Sequence, residues 1–434
     1  MNTYSISGQV VLPTGARPAT IVVDPVPGTI VSVEDPRVEV NPELWIFPGF
    51  IDMHVHAREY PLPDSADAEQ TARREAQCRK ETFSTAGLAA INGGVTLFGA
   101  MPNDPIPPSD ERSYSLKQAI ADASAVPVVL YGLVTRESRP WEDAPFKVYL
   151  DADFSALSFS DWTSLEEALS RYRGCRVFFH AEDPETLRNS PKEGPRWVTR
   201  PPEAEIVAVE KVLELSAKLG LNSHICHIST ERSVRLITEY NRDAGQRVSC
   251  EVTPHHLFFS VDHGKVSCAL NVEVQGSAGL LGSNPPLRSE SDRLFMVEAL
   301  RNGEVDVLAS DHAPHTLDDK RNGAAGMPHL DTLGPFAGWL MKDCGFTPMR
   351  VAEALAVAPG QILDPYIARS QGRIEERAAA SLTLLDLSGS TLVVNGRIKE
   401  RGPLKTRCGW SPFEGLRLPG TVRETIVLGT RYRS

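Results

Sequence analysis

The stretch Pro48-Gly49-Phe50-Ile51-Asp52-Met53-His54-Val55-His56-Ala57-Arg58 determines how the rest of the chain is interpreted. Apolar residues at every second position predict a buried strand, because successive side chains of a strand point to opposite faces. The positions between them carry Asp52, His54 and His56 on one face, where two imidazoles could bind one metal ion. Arg58 follows on that face as a fixed cation. A lone His-x-His pair is more often structural than metal-binding, so this interpretation requires ligands at the ends of other strands.

The composition of the chain excludes several classes of protein. Its 434 residues suggest one large domain with an accessory, or two to three domains, and a net charge of −11 argues against a nucleic-acid partner. No apolar run approaches the roughly 20 residues of a membrane span, and residues 1–7 lack the basic and apolar regions of a signal peptide. The seven cysteines include no CxxC pair, which favours buried thiols in a reducing compartment. We therefore expect a cytoplasmic protein with no nucleic-acid or membrane partner.

From Pro48 onward, strand patterns alternate with helix patterns. The strand candidates are 50–56, 94–101, 126–133, 146–150, 176–180, 223–228, 248–252 and 305–309. Helical patterns lie at 81–92, 113–123, 164–172, 203–219, 231–243 and 289–301. Strands alternating with helices in this way predict an α/β protein built on a (β/α)8 TIM barrel. A doubly wound open sheet would carry a glycine-rich phosphate loop after its first strand, and the sequence has none there.

The two ends of the chain have strand patterns without intervening helices. These lie at 5–12, 20–23 and 29–33, and again at 381–386, 391–394 and 421–428 after a last helical stretch at 348–356. Segments 1–47 and 366–434 are expected to form one β-sandwich domain that flanks a barrel of residues 48–365. Residues 60–80 form a long polar insertion after the first barrel strand, for which a surface insertion is favoured over an active-site lid.

Polar residues suited to chemistry follow nearly every predicted strand, at the end where barrel active sites form. They are His54, His56, Arg58, Asn103, Lys147, His180, His224, His227, His255, His256, Asp311, His312 and His315. Histidines and an aspartate that converge from several strands predict a metal site. His224 and His227 are three apart and would face opposite ways on one strand, so only one can enter the site. The same constraint leaves His255 and His256 outside the metal shell, with one of them orienting a neighbour.

Lys147 is the exceptional member of this set, because an ammonium group would be repelled by divalent cations. A lysine that pairs with an acid at the barrel mouth is one interpretation. The other is a lysine carboxylated by CO2, which becomes a bidentate anion able to bridge two ions. The charge count of a two-metal site favours the carboxylated form.

At these residues the chain resembles the amidohydrolase superfamily and, within it, the dihydroorotases. The resemblance rests on Gly49 to Arg58, Met101-Pro102-Asn103, Asn284-Pro285-Pro286-Leu287-Arg288 and Ala309-Ser310-Asp311-His312-Ala313-Pro314-His315-Thr316. Lys147-Val148-Tyr149-Leu150 and His224-Ile225-Cys226-His227 are similar to the dihydroorotase domain of the animal multifunctional pyrimidine protein. Ser411-Pro412-Phe413-Glu414-Gly415 resembles the closing segment of the family. The resemblance spans nearly the whole chain.

The resemblance implies reversible cyclisation of N-carbamoyl-L-aspartate to L-dihydroorotate in pyrimidine biosynthesis. It implies two Zn2+ per chain, bridged by N6-carboxylated Lys147. The implied metal ligands are His54, His56, Lys147, His180, His227 and Asp311, and Asp311 would also be the catalytic acid and base. The implied substrate-binding residues are Arg58, Asn103, Asn284, His315, Ala325 and Gly326. Besides the small-molecule substrate, the implied partners are a second copy of the chain in a homodimer and an aspartate transcarbamoylase.

The chain also departs from the family pattern. The long insertion replaces the short loop that usually follows the arginine. Asp153 stands where the family's mobile loop offers a threonine, which leaves the loop's role open. The alternatives are another cyclic amidase, such as an allantoinase, hydantoinase or dihydropyrimidinase, and a catalytically silent scaffold for aspartate transcarbamoylase. Arg58 and Asn103 favour dihydroorotate over the first, and the retained metal ligands argue against the second.

Overall fold

Strands from both ends of the chain form a single mixed sheet. The structure is a computed structural model that describes residues 3–63, 65–150, 159–243, 245–270, 279–399 and 401–433. The N-terminal strands are β1 (Tyr4–Leu12), β2 (Gly15–Asp24), β3 (Thr29–Glu34) and β4 (Leu44–Pro48). The C-terminal strands are β16 (Leu382–Leu392), β19 (Arg417–Val427) and β20 (Thr430–Arg433), and the sheet order is β20-β19-β16-β4-β1-β2-β3.

This sheet curves around its own core. Buried apolar side chains from β1, β2, β3, β4, β16 and β19 belong to one cluster, which includes Val10, Ile21 and Leu382. Thr29 at the start of β3 bridges to Ala379 just before β16, and Ile30 N donates to Ala378 O at 3.0 Å. The edge strand β3 therefore contacts the segment that leads into β16, a central strand of the same sheet. The sheet folds back on itself in this way and forms the β-sandwich domain. The domain boundaries at 47/48 and 365/366 stay a prediction.

A ring of short parallel strands forms the barrel. Its members are β5 (Phe50–Val55), β6 (Val95–Ala100), β7 (Val128–Leu130), β8 (Gly132–Leu133), β9 (Phe146–Tyr149), β10 (Arg176–His180), β11 (Asn222–Ile225), β12 (Ser249–Val252) and β15 (Val307–Leu308). β7 and β8 together make the third barrel strand. The ring closes because His56 N donates to His312 O at 2.8 Å and His312 N donates to His54 O at 3.1 Å. Each strand candidate of the barrel corresponds to one of these positions.

Helices follow most barrel strands, as the periodicity predicts. They are α1 (Ala68–Cys78), α2 (Phe83–Asn92), α3 (Glu111–Ala121), α4 (Trp162–Leu169), α5 (Pro184–Asn189), α6 (Arg196–Thr199), α7 (Pro202–Leu219), α8 (Glu231–Asp243), α9 (Pro254–Phe258), α10 (Glu290–Asn302), α11 (Leu317–Arg321), α12 (Leu333–Lys342), α13 (Pro348–Ala352) and α14 (Ala358–Leu363). A π-helical turn, Glu353–Val357, joins α13 to α14. Two further hairpins are β13 (Phe259–Asp262) with β14 (Lys265–Cys268), and β17 (Arg397–Ile398) with β18 (Gly402–Pro403).

Local signals in the sequence explain where these helices begin and end. Thr82 caps α2 by accepting a hydrogen bond from Thr85 N, and α7 ends at Gly220 in the left-handed conformation. The insertion after the first barrel strand contains α1, which has an Asp67 capping box and no buried residue. The tail strands predicted at 381–386 and 391–394 are one strand, β16, with an irregular register between Asp386 and Ser390.

None of the helices in the described part of the chain is long and apolar enough to span a membrane.

Candidate active site and metal centre

The carboxyl ends of the barrel strands surround an open cavity of about 280 Å³. It is lined by His54, His56, Arg58, Asn103, Tyr149, His180, Arg196, His227, Asn284, Asp311, Ala313, His315, Ala324, Ala325 and Gly326. All predicted ligands and substrate-binding residues lie on this wall except Lys147, which is fully buried. The fold therefore brings residues from distant parts of the sequence to one place.

His54, His56 and Asp311 form a compact, buried group. Asp311 Oδ1 lies 3.4 Å from His54 Nε2 and 3.2 Å from His56 Nε2. The ligand atoms of all three residues lie within 4.8 Å of one another. Two imidazole nitrogens and a carboxylate oxygen at this spacing are a donor set that suits Zn2+.

A β-bulge explains how this group forms. Strict alternation predicts that Met53 and His54 point to opposite sides of the strand, and this prediction is wrong. Ile51 and Met53 share the apolar cluster inside the barrel with Phe178, yet His54 also points inward, towards Glu251. The pairing of β5 with β6 shifts register between Asp52 and Val55, so the extra residue rotates His54 into the barrel.

Hydrogen bonds fix the orientation of three of the predicted histidine ligands. The pairs are His54 Nδ1 with Glu251 Oε1 at 2.5 Å, His56 Nδ1 with Asn103 Oδ1 at 2.7 Å, and His180 Nε2 with Glu182 Oε2 at 3.0 Å. These bonds fix one nitrogen of each ring, and the opposite nitrogen lies against another predicted ligand: Asp311 for His54 and His56, and His227 for His180. Metal-binding histidines are oriented in this way. The residues present therefore fit a bound metal.

His180 and His227 form a second group next to the first. His180 Nδ1 lies 2.9 Å from His227 Nε2, and the His227 and His54 ring centroids are 5.2 Å apart. Of His224 and His227, only His227 lines the cavity, and it stands beyond the end of β11 at Ile225. His224 lies deeper, with Nε2 donating to Glu251 Oε2 at 3.2 Å.

Three of the predicted site residues have the backbone conformation that favours glycine. Their φ angles are 61° for Arg58, 38° for His227 and 46° for Asp311. Non-glycine residues in this left-handed region are uncommon and cluster at functional sites, where the surrounding structure holds them. Each stands just beyond the end of a barrel strand, so the strained conformation helps to aim its side chain into the cavity.

Lys147 has no acidic partner among the described residues. Its side chain is fully buried, and Nζ donates to Cys226 Sγ at 2.9 Å. Burial and then the Lys147 charge oppose the rise in the pKa of His54, which Glu251 and Asp311 bring to about 10, and the Lys147 charge adds to the effect of burial that lowers the pKa of His227. The interpretation as a lysine paired with an acid at the barrel mouth is not supported by this environment, since a buried, unpaired ammonium group is costly.

The charges around Asp311 favour its ionised form. Burial raises the pKa of this carboxyl, but His54 and His56 outweigh burial and bring it to about 2. Burial, together with the Arg58 charge, lowers the pKa of His56 to about 3, against the opposing effect of Asp311. At neutral pH the site therefore offers an anionic Asp311 oxygen beside the neutral His56 ring. Burial lowers the pKa of His54, but Glu251 and Asp311 outweigh it and raise the pKa to about 10, so a metal ion bound there would displace a proton from His54.

Arg58 and His315 form a basic wall opposite these groups. Arg58 Nη2 donates to His315 Nε2 at 3.2 Å, and both residues line the cavity. Arg58 Nε and His315 Nδ1 are buried and have no hydrogen-bond partner within the described ranges. Burial and the Arg58 charge lower the pKa of His315, so its ring is neutral and Nδ1 carries a proton. Asp319 Oδ2 lies 4.0 Å from His315 Nδ1, so the Arg58 guanidinium is the group on this wall that suits an anion with two oxygens.

The remaining wall consists mainly of backbone. Asn284 Oδ1 accepts a hydrogen bond from Arg196 Nη1 at 2.6 Å, and Gly326 N donates to Gly282 O at 2.9 Å. Gly326 has φ +125°, and a Cβ atom there would lie 2.5 Å from Ala313 O. Only glycine allows this close approach of the turn to the β15 loop.

Several residues of the site were missed by sequence reasoning. Glu251 and Glu182 orient His54 and His180, and Arg196 and Tyr149 line the cavity. The signal for Glu251 was a charged residue inside an otherwise apolar strand. Nothing in the local sequence marks Arg196, because it reaches the cavity from α6.

His255 and His256, which were predicted to lie outside the metal shell, contact other parts of the chain. His256 Nε2 donates to Pro285 O at 3.2 Å, next to Asn284, whereas His255 Nδ1 lies 3.1 Å from His329 Nε2. Asp153 lies outside the described residues.

The sequence of the chain matches known amidohydrolases. A family model described as "Amidohydrolase family" matches residues 45–148. A dihydroorotase of Pyrococcus furiosus is 31% identical over 91% of this chain and 83% of its own length. Dihydroorotases of Archaeoglobus fulgidus and Shouchella clausii are 32% and 30% identical, covering 85% and 89% of this chain and 83% and 86% of their own lengths.

Solved structures agree on the fold. The L-hydantoinase of Arthrobacter aurescens has a TM-score of 0.78 at 21% identity, covering 98% of this chain and 95% of its own. The dihydropyrimidinase of Brevibacillus agri NCHU1002 has a TM-score of 0.75 at 19% identity, covering 99% and 95%. The predicted barrel with a flanking β-sandwich is confirmed. The chain belongs to the dihydroorotase family of the amidohydrolase superfamily, whose members are metal-dependent cyclic amide hydrolases.

Proposed function

We propose that this chain reversibly cyclises N-carbamoyl-L-aspartate to L-dihydroorotate with loss of water, in the direction of pyrimidine biosynthesis. The observation that carries the proposal is the pairing, in one cavity, of a metal-type donor set with the Arg58 guanidinium and His315. A hydantoin or dihydrouracil ring has no carboxylate that would need such a basic wall. Dihydroorotate has one beside its cyclic amide.

In this proposal, two Zn2+ ions are bound by residues of five barrel strands. One ion would be held by His54, His56 and Asp311 and the other by His180 and His227, and carboxylated Lys147 would be a ligand of both. The full burial of Lys147 beside Cys226, without an acidic partner among the described residues, supports its carboxylation. When bound, the ions would polarise the amide carbonyl and lower the pKa of water from 15.7 toward about 7.

The residues of the chain supply proton transfer and orientation. Asp311, which is ionised at neutral pH, accepts the proton of the attacking water and delivers it to the ring nitrogen as the carbon–nitrogen bond breaks. In ring closure the same carboxyl starts protonated, gives its proton to the departing oxygen as the carbon–oxygen bond breaks, and takes the proton that the attacking nitrogen loses as the carbon–nitrogen bond forms. Arg58, Asn103 and His315 hold the substrate carboxylate. Asn284 and the Ala325–Gly326 backbone contact the ring.

The test measures bound metal and hydrolysis of L-dihydroorotate in the same preparation. About two Zn2+ per chain and turnover of dihydroorotate are expected, with little turnover of hydantoin, allantoin or dihydrouracil. Faster turnover of an uncharged ring would favour the allantoinase or hydantoinase alternative. Full metal without turnover in either direction would favour a silent scaffold.

Three further properties follow from the resemblance as predictions. A homodimer, and a complex with an aspartate transcarbamoylase, are tested by light scattering alone and with the added partner. A cytoplasmic location agrees with seven cysteines that are all free thiols.

A further inference from the structure

Lys320 has an unusual environment for a lysine. It lies on α11 and is only 1% exposed. Its Nζ donates to three main-chain oxygens: Gly282 O at 3.0 Å, Ala324 O at 2.8 Å and Gly326 O at 2.8 Å. Three such bonds use every proton of an ammonium group, whereas a neutral amine could make only two of them.

These three oxygens join two segments of the cavity wall. Ala324 and Gly326 flank Ala325 in the turn that lines the cavity, and Gly282 lies two residues before Asn284. Arg196 supports the same junction, because its Nη1 donates to Asn284 Oδ1 at 2.6 Å and its Nη2 to Gly323 O at 2.7 Å. Two cations therefore hold the 282–284 segment against the 323–326 turn.

The charge of Lys320 is held there at a cost. No carboxylate pairs with it among the residues that the structure describes, and the Trp410 ring lies 5.9 Å from Nζ. Burial and then the Arg196 charge lower the pKa of Lys320 to about 7. The other titratable groups that face it are His315 and His255, whose pKa values its charge helps to lower, and its sequence neighbour Asp319 is bonded to Thr316. An apolar side chain here would avoid the cost of burying a charge but would leave three main-chain oxygens without this donor, so the ammonium group holds the two segments together.

We propose that Lys320 is a positioning residue for ring binding, whose ammonium group sets the position of the Ala325–Gly326 backbone against the substrate ring. Lys320 does not reach the reacting atoms, and none of its contacts is a predicted metal ligand. Its loss therefore weakens binding of the ring rather than the chemical step. This inference rests on the proposed function, which assigns that backbone to the ring.

The test compares wild type with Lys320→Met, and with Lys218→Met as a matched control at an exposed lysine on α7. Lys320→Met is expected to raise KM for L-dihydroorotate about tenfold, the equivalent of one hydrogen bond to the ring, and to change kcat by less than about threefold. Bound zinc should be unchanged. Lys218→Met should match wild type.

Binding of orotate, a planar pyrimidine carboxylate, is measured by calorimetry between pH 5.5 and 9, because this readout needs no turnover. In wild type, the Kd of orotate should rise as pH increases through about 7 and Lys320 loses its proton. That rise should be absent in Lys320→Met.

Two outcomes overturn the inference. In the first, the wild type turns over dihydroorotate, and Lys320→Met has the same KM and the same affinity for orotate as the wild type. The other is a loss of kcat and zinc at unchanged KM, which would indicate a structural role only. If Lys320→Met does not fold, a flat pH dependence of orotate binding in wild type refutes the proposal. A wild type that neither turns over dihydroorotate nor binds orotate refutes the proposed function instead.

Discussion

Replacing Glu251 by glutamine should weaken metal binding, although Glu251 is not a predicted ligand. The Glu251 carboxylate is fully buried and accepts hydrogen bonds from His54 Nδ1 at 2.5 Å and His224 Nε2 at 3.2 Å. Burial opposes ionisation, but the two imidazoles outweigh it and lower the pKa of Glu251. The carboxylate therefore fixes the ring of His54 and raises its basicity toward a metal.

The expected loss of zinc affinity follows from the negative charge of Glu251 in its hydrogen bond with His54. A hydrogen bond to a charged group contributes about 1.5–3 kcal/mol and a neutral one about 0.5–1.5 kcal/mol. Glutamine keeps the shape and a neutral bond, so the difference is about 1–2 kcal/mol. Each 1.4 kcal/mol is a factor of ten in affinity, which predicts a loss of roughly 5- to 30-fold for one zinc ion. This range overlaps the roughly 10- to 100-fold loss of metal affinity that is usual when a residue hydrogen-bonded to a metal ligand is replaced.

The assay titrates metal-free protein with zinc against a chromogenic chelator. Glu251→Gln should weaken binding at one ion and leave the second nearly unchanged, because His180 is supported separately by Glu182. Glu214→Gln, at an exposed glutamate on α7, makes the same chemical change away from the site and should bind as wild type does. Wild-type zinc affinity in Glu251→Gln would refute the reasoning.

The remaining predictions concern the proposed catalytic groups. Arg58→Lys keeps the charge but loses the two-pronged donor, so KM for dihydroorotate should rise at least about tenfold; unchanged turnover in Arg58→Met would shift the assignment toward hydantoinases. Lys147→Ala should abolish activity, short carboxylates in the buffer should partly restore it, and Lys218→Ala is the control; an unmodified Lys147 in a metal-loaded crystal would contradict the carboxylated bridge. Asp311→Asn should cost about 10²–10⁴ in rate while much of the zinc stays bound, compared with Asp318→Asn at an exposed position nearby. Because the pKa of Asp311 is lowered, its ionised form predominates above about pH 2, so hydrolysis should fall and ring closure should rise as pH approaches that value from above. Wild-type rates in Asp311→Asn, or parallel pH profiles for the two directions, would remove Asp311 from the mechanism.

The sequence by itself determined the type and order of the barrel elements. Strands at 50–56 and 176–180 were predicted almost to the residue, because apolar runs bounded by turn residues are local properties. It also determined which side chains gather, since the carboxyl ends of parallel strands in a closed barrel meet at one face. His54, His180 and Asp311 could therefore be assigned to one site before any distance was known.

Only the tertiary structure decided how those side chains are aimed and supported. The bulge after Asp52 turns His54 to the same side as Met53, and Arg58, His227 and Asp311 adopt left-handed conformations; no local pattern encodes either feature. The contacts of His54 with Glu251, and of Lys320 with Gly282, join residues far apart in the chain. Such pairs exist only after the barrel closes, because closure sets the distances between segments that local periodicity leaves free.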